Sequence, residues 1–195
     1  FITRSWIITG ATRFSETELA KSLNLFIGKP MKFSDLSKIS AVIEKKYEIE
    51  GNLARAIIPP QDVTEGTVRV EVVEGRFGDV LFDPSGSTSV RENIVRSVLK
   101  SGIKTGQLYD SAYFDRRLLI ADDLPGVSLT GFLQSNPKPG HLDLVLKSSK
   151  EPAYIADLAA DNANSRSLGS EKVSFSGILV SPFEYGETIS LQTLK

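Results

Sequence analysis

The chain has 195 residues, 41% apolar and 24% charged, with a formal net charge of −1 and an isoelectric point near 6.0; this is ordinary globular usage without the broad basic field that draws nucleic acid or anionic lipid. It contains no cysteine, which excludes a disulfide framework, a thiolate metal site and a cysteine nucleophile but leaves the compartment open. No apolar run approaches the ~18 residues a membrane-spanning helix needs, so strands are the one remaining route into a bilayer, and the lack of a basic-then-apolar leader at Phe1 reads as a mature or excised segment.

Residues 5–9 predict a short strand stopped by Gly10. A helix follows, with Ser15 placed to cap it, Glu18 completing a capping box, and Leu19, Leu23 and Phe26 at helical spacing until Gly28 and Pro30 end it. Ser34 is placed to cap a second helix, whose inward stripe is Leu36, Ile39, Val42 or Ile43, and Tyr47, and which Gly51 closes. Two strands come next. Residues 53–58 end at Pro59 and Pro60, and residues 67–73 place Val68, Val70 and Val72 on one face and Thr67, Arg69 and Glu71 on the other. The order is β-α-α-β-β.

The order then repeats. Residues 80–82 read as a strand, followed by a turn at Asp83-Pro84-Ser85-Gly86. A helix over 90–101 carries Ile94, Val98 and, at the margin, Leu99 inward, and Gly102 and Gly106 break it. A second helix from near Asp110 carries Phe114, Leu118 and Leu119, and Leu124-Pro125-Gly126 stops it; strands over 127–133 and 141–147 complete the unit. Residues 19–23 align with 94–98 and Gly51 with Gly126 at a shift of about 75 residues, and 66–70 fall over 140–144 at nearly the same shift, the signature of an internal duplication. Each copy has two amphipathic helices to cover one face of a three-stranded sheet, a two-layer α+β solution. Residues 59–79 form the boundary, where Glu74-Gly75-Arg76 opens the second copy.

Beyond Lys150 the helix signals cease. Residues 153–161, 172–180 and 187–194 are strand-like, with Tyr154, Ala156, Leu158 and Ala160 sharing one face and Ile155, Asp157 and Ala159 the other. Val173, Phe175, Gly177 and Leu179 likewise oppose Ser174, Ser176 and Ile178. Length and alternation suit transmembrane β-strands, which need ~9 to 11 residues, although three strands cannot close a barrel.

Candidate chemical sites are few. His141, the single histidine, has no Ser, Cys or carboxylate cluster in register with it and reads as a surface residue. Asp122 and Asp123 precede Leu-Pro-Gly and read as a helix end or turn rather than an acid/base pair. Residues 161–171 are spaced superficially like a calcium loop, but Ala163 stands where an oxygen ligand is required and Arg166 where Gly is. No GxGxxG, P-loop or HExxH occurs, so neither an enzyme nor a cofactor or metal site is expected. Arg91, Arg96 and Lys100 on one helix, with Lys104 just past it, read as a solvated face rather than an acidic-partner site.

In order, these motifs resemble two-partner secretion transporters of the FhaC and ShlB kind, outer-membrane pores with two periplasmic POTRA domains before a barrel. The first domain matches at Pro59-Pro60-Gln61-Asp62 and from Gly66 through Val68, Val70 and Val72 to Glu74-Gly75-Arg76. The second matches at Arg116-Arg117-Leu118-Leu119, at Asp123-Leu124-Pro125-Gly126-Val127 and from Pro139 to Leu144. Asp161-Asn162 with Leu168-Gly169 resembles the first barrel hairpin, and Ser181-Pro182-Phe183 with Gly186-Glu187 the next turn. The hairpin departs from the family's Asn-x-Gly-Ser-Arg with Asn162-Ala163-Asn164-Ser165-Arg166, and the family's plug helix, most of its barrel and its constriction-loop motif do not occur in these residues. The resemblance implies POTRA domains over 1–75 and 76–150 and truncated barrel strands over 151–195. It also implies a location at the bacterial outer membrane with the POTRA domains in the periplasm.

By the same resemblance, the second strand of each module is an exposed edge that receives an unfolded client by β-augmentation. The implied client-binding residues are Leu53, Ala54, Arg55, Ala56, Ile57 and Ile58 in the first module, and Val127, Ser128, Leu129, Thr130, Gly131 and Phe132 in the second. The implied partners are the TpsA-like secretion domain of a secreted exoprotein and the chain's own barrel and membrane, with no nucleic acid. No nucleotide hydrolysis is implied, since folding of the exported chain outside disfavours its return. The alternative reading is an outer-membrane assembly or scaffold module of a BamA-like protein.

Overall fold

The computed structural model describes residues 1–161 and 172–194. β1 (Ser5–Thr9) is followed by α1 (Glu16–Ser22), which the expected capping box starts: the Glu18 amide donates to Ser15 Oγ at 3.3 Å, and the Ser15 amide donates to the Glu18 carboxylate at 2.9 Å. Leu19 and Leu23 are fully buried, and the segment ends as a 3-10 turn over Asn24–Phe26. α2 (Leu36–Ile49) begins after a 3-10 turn over Phe33–Asp35. The cap expected at Ser34 is not made. Asp35, whose carboxylate is the stronger acceptor, takes the Lys32 amide at 2.9 Å, and Ser34 offers only its carbonyl, to Ser37 Oγ. Ile39, Ile43 and Tyr47 are fully buried, which decides for Ile43 over Val42.

β2 (Ala54–Ile57) and β3 (Thr67–Glu74) complete the first sheet, in the order β1-β3-β2. β1 runs parallel to β3, with Ile8 opposite Val70, and β2 runs antiparallel, with Ala56 opposite Val72. One face is apolar: Trp6, Ile8, Ala56, Val68, Val70 and Val72 pack in one cluster with Leu19, Leu23, Ile39, Ile43 and Tyr47 from the helices. Each such aliphatic side chain contributes about 1.5–3 kcal/mol on burial.

The boundary motif of the sequence has a physical account at each step. After the prolines stop β2, the Gln61 side-chain amide continues its pairing: Gln61 Nε2 donates to the Arg69 carbonyl (2.8 Å), and the Arg69 amide donates to Gln61 Oε1 (2.7 Å). At the other end, the Glu74 carboxylate, 4% exposed, accepts from the Thr12 amide (2.6 Å) and hydroxyl, the Arg13 amide (2.8 Å) and the Tyr47 hydroxyl (2.9 Å), and pairs with Arg76 at 3.1 Å.

The second βααββ repeat has β4 (Arg76–Phe82), α3 (Glu92–Lys100), α4 (Ser111–Asp122), β5 (Val127–Ser135) and β6 (His141–Lys150), with strand order β4-β6-β5. Its helices turn differently from expectation. α3 buries Val95 and Leu99 and leaves Ile94 and Val98 half-buried, a face displaced by one residue. In α4, Phe114 and Ala121 are buried and Leu118 half-buried, while Leu119 is 66% exposed, because at 100° per residue it leaves the stripe that 114, 118 and 121 share.

β7 (Tyr154–Asp161), β8 (Lys172–Val180) and β9 (Thr188–Leu194) form a third sheet, an antiparallel meander. Leu158 lies opposite Phe175 and Leu179 opposite Ile189, so Tyr154, Leu158, Phe175, Leu179, Ile189 and Leu191 share one face, with Leu158 73% and Leu191 65% exposed. The hairpin motif and calcium-like spacing between β7 and β8 lie outside the described residues. No helix among the described residues is long and apolar enough to cross a membrane.

The chain packs as two compact units. One comprises Phe1–Asp79, Ile103–Tyr113 and Gln134–Asp143; the other comprises Val80–Gly102, Phe114–Leu133 and Leu144–Lys195.

Candidate strand-docking edges

With β3 and β6 central, β2 and β5 are sheet edges. The Gly75 amide donates to the Leu53 carbonyl at 2.7 Å, so Leu53, Arg55 and Ile57 turn their backbone groups toward β3, and Ala54 and Ala56 turn theirs outward. The Ala56 side chain is 6% exposed and lies in the core, whereas Arg55 and Ile57 are exposed on the opposite face. Pro59 and Pro60 follow directly, so this edge offers a short run of outward groups.

β5 is longer. Val127 and Leu129 are buried and Ser128 and Thr130 exposed, but from Gly131 onward cover is lost, and Phe132 and Leu133 are 47% and 38% exposed. Gly131 packs closely: a Cβ there would lie 3.1 Å from a Leu118 methyl and 3.2 Å from a Leu144 methyl, which would have to shift. Asp122, read from sequence as a helix end or turn, is the last residue of α4 and accepts the Leu129 amide through its carboxylate.

One groove lies against the first edge and another on the helices. The first, of about 430 Å³, is lined by Leu53, Ala54, Arg55 and Val73 on the strand side and by Asn136, Gly140, His141 and Leu142. His141 is not the surface residue expected. It is 8% exposed, and its Nδ1 lies 3.1 Å from the Pro139 carbonyl, because the turn at Gly140 folds the ring back on its own loop. A second groove, about 600 Å³, runs along α2 past Val42, Lys45, Lys46 and Ile49.

The expected solvated basic face is drawn partly inward. Arg91 pairs with Glu184 at 3.1 Å, donates to the Tyr185 hydroxyl at 2.9 Å and stacks over its ring, and Arg96 donates to the Val80 carbonyl while lying over Phe82. Arg91 is held above the ordinary arginine value first by its hydrogen bond to Glu184. The β8–β9 turn is fixed to the start of α3 by this cluster and by Ser181 Oγ, which donates to the Ser89 carbonyl at 3.1 Å.

Residues 1–75, which carry the first βααββ sheet and its two covering helices, match the family described as POTRA domain, ShlB-type. The resemblance to ShlB-type transporters read from the motifs therefore holds. The chain is homologous to the heme/hemopexin transporter protein HuxB of Haemophilus influenzae (strain 86-028NP), with 24% identity over 178 residues, 91% of this chain and 31% of that protein. The chain thus spans about a third of the length of the curated relative it matches. In fold it resembles CdiB from Escherichia coli (TM-score 0.76, 15% identity, covering 100% of this chain and 35% of that one). It also resembles the N-terminal domain of Omp85 from Thermosynechococcus elongatus (TM-score 0.57, 16% identity, covering 77% and 67%).

Proposed function

We propose that this chain is the periplasmic polypeptide-binding region of a two-partner secretion outer-membrane transporter. It captures an unfolded exoprotein by strand addition at β2 and β5 and passes it to a barrel whose first strands are β7, β8 and β9. The modules run over 1–75 and 76–150, and the barrel strands over 151–195. The observation that carries this reading is the pair of sheet edges with no neighbouring strand: backbone donors and acceptors on an edge strand accept an extended chain of almost any sequence, as an unfolded client requires. The ShlB-type match and the homology to HuxB support the transporter class. The meander supports the membrane role, because a contiguous exposed apolar face needs a partner, and further strands pairing with β7 and β9 would satisfy their edges in lipid.

The partners in this reading are the TpsA-like secretion domain of one exoprotein, the chain's own barrel and the outer membrane. Binding of a peptide from such a secretion domain is expected at micromolar strength and is expected to weaken in Ala56→Pro and Leu129→Pro, each of which removes an edge amide. Unchanged affinity in both variants would overturn the edge mechanism. Recovery of many outer-membrane proteins in a pull-down, rather than one exoprotein, would assign the chain to BamA-like barrel assembly instead.

A further inference from the structure

Strand addition needs free edge amides, yet on both edges one is already engaged. The outward amide of Ala56 on β2 donates to Glu44 Oε1 at 3.0 Å, and Glu44 belongs to α2. The Leu129 amide on β5 donates to Asp122 Oδ1, and Asp122 is the last residue of α4. Glu44 stands well inside its helix and Asp122 at the end of its own, so positions that do not correspond in the repeat each deliver a carboxylate to an amide of the neighbouring edge strand. Ala56 and Leu129 are each a core-facing edge residue, at 6% and 7% exposure, although the shift of about 75 residues places Ala56 over Gly131 rather than Leu129. Neither Glu44 nor Asp122 makes an ion pair among the described residues, although both are half-buried.

We propose that Glu44 and Asp122 are displaceable guards of the two edges, and that they select an extended segment carrying Lys or Arg next to the residue whose carbonyl takes their place. This rests on the strand-addition reading above. The guard works because a carboxylate is a charge-assisted acceptor, about twice as strong as the neutral carbonyl that must replace it. A displaced carboxylate is left half-buried and unpaired, which is costly. A cationic side chain on the incoming strand, with the three methylenes of Arg or the four of Lys, reaches that carboxylate and offsets the loss. Backbone pairing, which is tolerant of sequence, thereby acquires a charge filter. The same guards oppose edge-to-edge pairing of two copies, the ordinary hazard of an open edge.

The test uses the 195-residue chain and two labelled synthetic peptides of alternating Thr and Val, each roughly ten residues long, one with a central Lys and one with a central Gln. Fluorescence anisotropy should show the wild type preferring the Lys peptide several-fold. The double variant Glu44→Ala/Asp122→Ala should bind the Gln peptide about tenfold more tightly than wild type and lose the preference, since nothing competes for the amide. Glu44→Gln/Asp122→Asn keeps an acceptor and should lose only the preference, which also covers the case in which the alanine variant fails to fold. Equal affinities and an unchanged preference in both variants would overturn the proposal. If neither peptide binds wild type, the strand-addition reading fails, and sedimentation decides the guard alone: self-association of the alanine variant but not of wild type retains it, and a monomeric variant overturns it.

Discussion

Glu74 is a carboxylate buried at the end of a strand and kept charged. Burial alone would raise its titration, but hydrogen bonds from Thr12, Arg13 and Tyr47 outweigh burial and hold it below the ordinary glutamate value. Because the folded state binds the proton less readily than the unfolded chain, Glu74 stabilises the fold fully above the unfolded value near 4.5 and loses that contribution as pH falls through the lower folded value. Urea unfolding should therefore weaken more steeply below about pH 4.5 in wild type than in Glu74→Gln. Glu74→Ala, which strands the Tyr47 hydroxyl and the Thr12 and Arg13 amides, should cost about 3 kcal/mol at neutral pH. Tyr47 gives the opposite limb: burial, then its bond to Glu74, pushes the phenol up, so its contribution is present below about pH 10 and lost on deprotonation above it. Gly66 marks the other end of the boundary motif. Its φ is +79° and an added Cβ would lie 2.6 Å from the Ile2 carbonyl oxygen, so Gly66→Ala should cost at least about 1–3 kcal/mol in the same measurement.

At the scale of elements, the direction of each backbone group in β2 decides what a substitution does. Arg55→Pro removes an amide that pairs with Val73 and should cost about 3 kcal/mol or more. Ala56→Pro removes an amide held only by Glu44 and should cost about 1 kcal/mol while weakening strand docking. Denaturant midpoints compared with peptide affinities separate the two, and a reversed order of stability would contradict the assigned register. The helices carry a related lesson. In α3, Ile94 with Val98 and Val95 with Leu99 are adjacent stripes of nearly equal hydrophobicity, so periodicity predicts a helix without choosing its face. The choice falls to Val95 and Leu99.

Across the whole chain, the two βααββ repeats and the meander differ in how they treat apolar surface. The repeats bury it beneath their helices, whereas β7, β8 and β9 leave Tyr154, Leu158, Leu179 and Leu191 exposed on one face. Liposome flotation should show the 195-residue chain associating with vesicles. Leu158→Arg should reduce that association by roughly tenfold or more without shifting the unfolding of the first module, whose core does not include it. Equal flotation of wild type and variant would remove the membrane-facing assignment of this face.

Patterns local in the chain were legible from residues alone: the capping box at Ser15, the alternation of Val68, Val70 and Val72, the duplication, and the strand periods after Lys150. The capping box and the strand alternations depend on spacing within a few residues, where helix and strand periods differ, and the duplication on such local patterns recurring at a shift of about 75 residues. The candidate edges entered through family resemblance, and strand order was needed to see which backbone groups point outward. Other features depend on residues far apart in the chain. Glu44 meets Ala56, Asp122 meets Leu129, Thr12 meets Glu74, and the apolar faces of three strands coincide. Spacing within one element carries no information about which partner it meets, because register and helix rotation are set by close packing between elements.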